Sequence, residues 1–238
     1  MSVKSRIAQL NARLAEKLTA KGVEADGSET TTALIDKVDS IEQGGVDMME
    51  YIATTSTYLF SDDIQEITDD IVFRLVRASK IEYMLINKTI NAAKVTVHIA
   101  DKCYEIYRAF KGMKGLVKTV EIIGDTGNVT TFYEAFSGAG TVEQIICEFD
   151  FTSATVVGGM FAGMTNLKEV RFKENTLSVS IAFGKSPLLS AESVQSIIDG
   201  LADLTGATAQ TLTLHADVKA KLTDTQIATI TGKNWTLA

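Results

Sequence analysis

Near the start of the chain five apolar residues, Val3, Ile7, Leu10, Leu14 and Leu18, recur at steps of four, three, four and four. Steps of three and four gather side chains on one face of a helix, so residues 2–21 are expected to be helical. Arg13, Glu16 and Lys17 fall off the stripe, and Gly22 supplies the stop. After a polar turn over residues 22–28, Thr30, Thr31 and Thr32 are candidate N-caps for a second helix with Leu34, Ile35, Val38 and Ile41 on its apolar face. Gln43-Gly44-Gly45 then breaks the pattern and reads as a linker. A hairpin of two short amphipathic helices is poorly stable alone. Its stripe must meet the rest of the chain, a sister copy or another protein. The double glycine sets it apart and favours the last two, so the five stripe residues are candidate oligomerisation or anchoring positions.

Past Gly45 the pattern changes to one that returns. YRAFKGMKGLVKTVEI (107–122), YEAFSGAGTVEQIIC (133–147), GGMFAGMTNLKEVRF (158–172) and SIAFGKSPLLS (180–190) align on Phe110, Phe136, Phe161 and Phe183, at intervals of 26, 25 and 22. Two residues after the phenylalanine stand Gly112, Gly138 and Gly163, with Lys185 departing in the last copy; four before it stand Ile106, Phe132, Val157 and Val179. Val95-Thr-Val97, Val120-Glu-Ile122, Ile145-Ile-Cys147 and Val170-Arg-Phe172 follow one another at a constant 25 residues. Each alternates with period two and is expected to be a short strand. YMLI (83–86) and YLF (58–60) are weaker copies of the aromatic element upstream. A period near 25 lies in the range of leucine-rich repeats. One such unit cannot bury its apolar residues, so neighbours must stack and their strands form a parallel ladder. The four phenylalanines are the expected core anchors. The recurring glycine suits a corner where φ is positive or a side chain would collide.

The repeat fades near Pro187. Ser190 is a candidate N-cap for a helix to about Leu201, with Val194, Ile197, Ile198 and Leu201 on one face. Gln210 to His215 alternates as a strand, Asp217 or Thr223 starts a last helix through Ile230, and Trp235-Thr-Leu237 reads as a final strand. An open repeat stack exposes apolar surface and a sheet edge, so a non-repeating end of this kind is expected to close it. The expected class is α+β and β-rich: a leucine-rich-repeat-like solenoid over 46–189, preceded by a helical hairpin over 1–45 and followed by an α/β cap over 190–238.

Composition narrows the function. Of 238 residues, 45% are apolar and 22% charged, ordinary globular usage. The net charge of −7, with no long basic run, argues against nucleic acid as a partner. No apolar run reaches membrane-spanning length. The polar N-terminus lacks the apolar core of a secretory signal, which implies synthesis in a cytoplasm. Cys103 and Cys147 show no metal-ligand spacing and sit in alternating apolar stretches, so both are expected to be buried and inert. His98 and His215 are the available imidazoles, and no nucleophile elbow, zinc-protease, P-loop or dinucleotide motif accompanies them. The acidic pairs Asp62-Asp63, Asp69-Asp70 and Glu148 with Asp150 are expected to be solvated turn edges, and none has calcium-loop spacing. No catalysis, metal or cofactor is expected.

Two resemblances add to this. Val129-Thr-Thr-Phe132-Tyr-Glu-Ala135-Phe136-Ser-Gly138, continued by Val142-Glu-Gln-Ile145, resembles the unit of BspA-like leucine-rich repeats, and Met164-Thr-Asn-Leu167-Lys-Glu-Val170 resembles its second half. The Ile-Pro step of that unit is absent here, and its usual Cys is replaced. The pattern Ile7, Leu10, Leu14, Leu18, Lys21-Gly22, Thr30 to Thr32, Leu34-Ile35, Val38 and Ile41 is similar to a hairpin that opens many bacteriophage and prophage virion proteins. The last 50 residues, from Leu189, look like the closing segment of phage repeat proteins. Together the resemblances imply a structural virion component: a fibre, baseplate or head-decoration protein, located in the particle. Its implied partners are sister copies, with a trimer favoured by the likeness to fibres, and other virion proteins. The competing expectation is an adhesin-like module that binds a host receptor or glycan through the repeat face, with Tyr104, Tyr107 and Tyr133 as candidate contacts.

Overall fold

The structure is a computed structural model that describes residues 11, 12, 15, 26, 28, 30, 48–52, 66, 67, 70–75 and 78–238. Contacts divide the chain into two units, Met1–Asp47 and Met48–Ala238. In the first, Asn11, Ala12 and Ala15 are helical; Asn11 and Ala15, four apart, are buried and Ala12 is exposed. Val3, Ile7, Leu10, Leu14 and Leu18, the linker glycines, Tyr58 to Phe60, the Asp62-Asp63 pair and Asp69 lie outside the described residues.

The second unit is mixed α/β, dominated by parallel strands. Six of them form one sheet in chain order: β1 (Met48–Ile52), β3 (Asp70–Arg74), β6 (Lys94–His98), β9 (Thr119–Ile123), β10 (Gln144–Phe149) and β11 (Glu169–Phe172). A second parallel ladder joins β2 (Glu66–Ile67), β5 (Thr89–Ile90) and β8 (Lys114–Gly115). A third pairs β4 (Lys80–Glu82) with β7 (Glu105–Tyr107) and continues through single bridges to Thr131 and Val156. Last come β12 (Ile181–Phe183), β13 (Gln210–Leu214) and β14 (Trp235–Leu237), with helices α1 (Ala191–Gly200), α2 (Ala216–Lys219) and α3 (Asp224–Gly232) between them.

The strands expected around 95, 120, 145 and 170 are β6, β9, β10 and β11. Val95 pairs with Val120, Val120 with Ile145 and Gln144 with Glu169 at the sequence interval of 25. A bulge in β10 then shifts its pairing with β11, so that Glu148 meets Arg171 and Phe149 meets Phe172. Alternation does the sorting. In β10, Ile145, Cys147 and Phe149 are buried while Ile146 and Glu148 face out. The ladder also runs through the turns. Phe110 and Gly112 donate their N–H to the carbonyls of Ala135 and Ser137 at 2.8 and 2.7 Å, and Phe136 and Gly138 donate to Met160 and Ala162 at 3.0 and 2.7 Å. Every pass of the chain therefore satisfies the backbone of the one before it.

Phe110, Phe136, Phe161 and Phe183 are fully buried and stack in sequence, with ring centroids 4.9, 6.0 and 4.7 Å apart. Each such burial stabilises the fold by roughly 1.5–3 kcal/mol, and well-oriented ring pairs add about 0.5–1.5 kcal/mol. Phe149, Phe151 and Phe172 pack edge-on and in stacks beside the column. Gly112, Gly138 and Gly163 take φ of +66°, +75° and +72°, and Asn87, one pass earlier, takes +57°. The fourth copy differs. Phe183 lies in β12, which pairs with β13 and not with the six-stranded sheet, so its interval shortens and Lys185, not glycine, stands two residues after it.

The open edge of β11 is closed by α1. Ser190 caps that helix, and its own N–H donates to the Lys168 carbonyl at 2.9 Å. One and two turns on, the Ser193 hydroxyl accepts from Val170 N–H at 3.0 Å and the Ser196 hydroxyl from Phe172 N–H at 2.9 Å. Two hydroxyls thus stand where a next strand's carbonyls would be. Val194, Ile197, Ile198 and the following Leu201 are buried on the core. Lys233 donates its ammonium to the carbonyls of Ile198, Asp199 and Leu201 at 3.3, 3.2 and 2.7 Å, satisfying the helix's C-terminal acceptors. Burial holds its pKa below the ordinary lysine value, against nearby Asp199 and Asp203. Thr223 and Gln226 form a reciprocal capping box on α3.

One expectation is overturned. Glu148 is exposed, but Asp150 is buried and does not sit solvated at a turn edge. Its carboxylate accepts from Lys173 at 2.7 Å and from the Thr152 N–H at 2.9 Å, and its N–H donates to the buried Thr126 hydroxyl at 2.7 Å. The pass before and the pass after supply Thr126 and Lys173, which is why sequence neighbours did not reveal them.

Candidate interaction faces

Two outward faces of the Met48–Ala238 unit carry side chains able to meet a partner. The first lies on the β4–β7 ladder. Glu82 pairs with Tyr107 across it, and the next pass brings Tyr133 alongside. Tyr107 and Tyr133 stack at 5.5 Å and 16°, and Tyr83 meets Tyr107 edge-on at 5.4 Å. The Arg108 guanidinium lies 4.9 Å from the Tyr107 centroid and 5.4 Å from that of Tyr133. Beyond Tyr133 is Gly158, where a Cβ would sit 3.6 Å from the ring. The faces of Tyr107 and Tyr133 are therefore occupied by each other, by Arg108 and by a glycine. Glu134 holds Arg108 at 2.7 Å and pairs with Lys111 as well; the Lys111 ammonium first, then Arg108, keeps its carboxyl below the usual glutamate value against partial burial. Tyr104 is apart from this column, exposed, with the Lys80 ammonium 5.5 Å above its ring. Of the three candidate tyrosines, two are packing and one is open.

The second face is the outer side of the six-stranded sheet. There Thr119, Gln144 and Glu169 form one row, and Glu121 and Ile146 form part of the next. Ile123 and Ile146 are large apolar residues left 42% and 40% exposed. The face continues past β11 into an open groove of about 790 Å³ against α1, lined by Glu148, Glu169, Arg171, Glu192, Gln195 and Asp199 among others. Nothing in the sequence placed α1 beside β11, so the groove could not be read from it.

Charge is arranged differently on the two faces. Across most of the ladder, a carboxylate is matched by a cation one pass away: Glu105 by Lys80 at 2.9 Å, Glu121 by Lys94 at 2.7 Å, and Glu143 by Lys118 and Lys168 on either side at 3.0 and 2.6 Å. In the groove, among the described residues, Glu148, Glu174 and Glu192 have no ion pair, and Arg171 is the basic residue lining it.

The remaining chemistry-bearing residues are held by the fold. Cys103 and Cys147 are buried thiols, and burial pushes them up to about 11 and about 12. His215 caps α2, its Nδ1 accepting from Asp217 N–H at 3.2 Å. His98 ends β6 and is half-buried. Among the described residues no group of three or more His, Cys, Asp and Glu is placed to hold a metal, and no helix is long and apolar enough to cross a membrane. No protein-family model, curated protein or solved structure matches the chain.

Proposed function

We propose that this chain is a non-enzymatic structural component of a bacteriophage particle, a fibre, baseplate or head-decoration protein, whose 1–45 segment attaches to the particle or to sister copies. In this reading residues 46–189 are a leucine-rich-repeat-like solenoid that projects from the attachment point, and 190–238 cap it. The observation that carries the reading is the one-pass register: strands 25 residues apart pair side by side, and buried phenylalanines stack through the core. A body built by repetition grows by adding passes and is suited to spanning a distance. The likeness of the first 41 residues to phage-type hairpins supplies the particle. Homo-oligomerisation, with a trimer favoured, follows from the likeness to fibres.

The test is incorporation. Chain lacking residues 1–44 and full-length chain are expressed alongside particle assembly, and purified particles are probed for each. Incorporation of the full chain with loss of the truncated one is expected. Equal incorporation of both contradicts attachment through the N-terminal segment, and absence of the full chain from particles contradicts the virion role. Receptor or glycan binding through Tyr107 and Tyr133 is the weaker reading, because their ring faces are already taken.

A further inference from the structure

We propose that the outer face of β9, β10 and β11, with the groove beside α1, docks an extended segment of a partner protein. That segment presents a branched aliphatic side chain followed by basic ones. The proposal is independent of the virion reading, since it concerns what the Met48–Ala238 unit binds wherever it is located.

Among the described residues, no element covers this sheet face. All-parallel sheets are usually covered on both sides. Here one side of β9–β11 carries the core, and the other shows Ile123 and Ile146 about two-fifths exposed. These residues stand on the neighbouring strands β9 and β10, which are spaced roughly 4.8 Å apart. They form a small apolar seat on the β9 side of the face, bordered by Glu121 and Gln144 and, toward β11, by Glu148, Glu169 and Arg171.

The choice of occupant rests on charge complementarity. Moving from the isoleucines toward α1, the face becomes acidic: Glu148 on β10, Glu169 on β11, and Glu192 and Asp199 on the helix, with Arg171 between them. Lysines one pass away pair with Glu105, Glu121 and Glu143, whereas among the described residues no lysine is within ion-pair distance of Glu148 or Glu192, and the Lys173 ammonium that feels Glu148 is held by Asp150. The Gln195 amide turns to Asp199 and Gln144's to Glu169, each an uncharged donor. An excess of carboxylates lining a concave surface steers and orients cationic segments. Apolar seat first and carboxylates second define a direction along the occupant. An acidic or wholly apolar segment fits neither order.

The test uses the full chain as bait for a displayed random-peptide library, followed by calorimetry on the selected peptides. Selected sequences are expected to place Leu, Ile or Val ahead of two or more Lys or Arg. Their affinity is expected to fall with added salt, and to drop about tenfold or more in Glu148→Lys and in the Glu148→Gln, Glu192→Gln double variant. Ile146→Asp is expected to weaken the same peptides. These side chains are exposed or lie at the groove rim, and circular dichroism of each variant confirms that the fold persists. Selection of peptides without basic residues, or binding indifferent to all three variants, overturns the proposal. Salt-sensitive self-association that Glu148→Lys abolishes, with no peptide selected, makes a second copy the occupant and equally overturns it.

Discussion

At the scale of single residues, the sharpest feature is the corner position where backbone conformation and sequence coincide. Gly138 sits at φ +75°, and a Cβ there would meet only Gly112 atoms at 3.6 and 3.7 Å, ordinary contact. The cost of a side chain is therefore conformational, roughly 1–2 kcal/mol for an alanine forced into the left-handed region. Asn87 holds the same conformation one pass from Gly112, so Gly138→Asn should cost measurably less than Gly138→Ala in urea denaturation; equal costs would mean that contact and not φ decides. A second positive-φ column escaped the sequence reading. Tyr83, Arg108 and Glu134 take +56°, +51° and +51°, and only Gly159 in that column advertises it. Bulky residues there are held by the ladder bonds on either side and by the Arg108–Glu134 pair, and no local signal marks them.

Asp150 carries the pH prediction. Burial would raise its carboxyl, but hydrogen bonds from Lys173 and Thr152 outweigh that and hold it below the ordinary aspartate value of 3.8. The unfolded chain then binds more protons than the folded one as pH falls below about 4. The contribution is present above the unfolded value and is lost as pH drops through the folded one. Glu121 and Glu134, paired across passes, shift in the same direction. Asp150→Asn should flatten the acid limb of stability against pH and lower neutral stability by about 1–2 kcal/mol, a figure reduced for the exposure of Lys173. An unchanged acid limb would show that the pair contributes nothing.

At the scale of elements, strands β6, β9, β10 and β11 were legible because interval and alternation agree. Strands β1 and β3 were not, because pairing Met48 with Asp70 and Ile71 with Val95 shifts the interval away from 25 and the aromatic copies beside them, YLF (58–60) and YMLI (83–86), are degenerate. Helix α1 was legible from its cap and apolar face, but its role at the edge of β11 was not. Ser193 and Ser196 look like ordinary polar positions on a helix until β11 lies against them. Replacing both with Ala leaves the Val170 and Phe172 N–H groups without acceptors at the sheet edge. A loss of about 2–4 kcal/mol is expected for the pair, with concentration-dependent association as the edge becomes available. Retained stability and a monodisperse scattering profile would show that water replaces the hydroxyls without penalty.

At the scale of the whole chain, the grooves and faces are products of stacking and are invisible in any one pass. The isoleucines that form the apolar seat read in sequence as ordinary strand residues. The same stacking makes the proposed repeat body testable as a repeat. Thr119 pairs with Gln144 and Val120 with Ile145, so deleting residues 120–144 joins Thr119 to Ile145 with the register conserved. The most direct measurement is equilibrium denaturation of that variant, followed by circular dichroism and fluorescence of Trp235. A single cooperative transition at reduced midpoint, with β structure and the buried tryptophan retained, is expected of passes that stack as equivalent units. A chain that is unfolded or aggregated without denaturant contradicts that architecture, and with it the structural role proposed for the body.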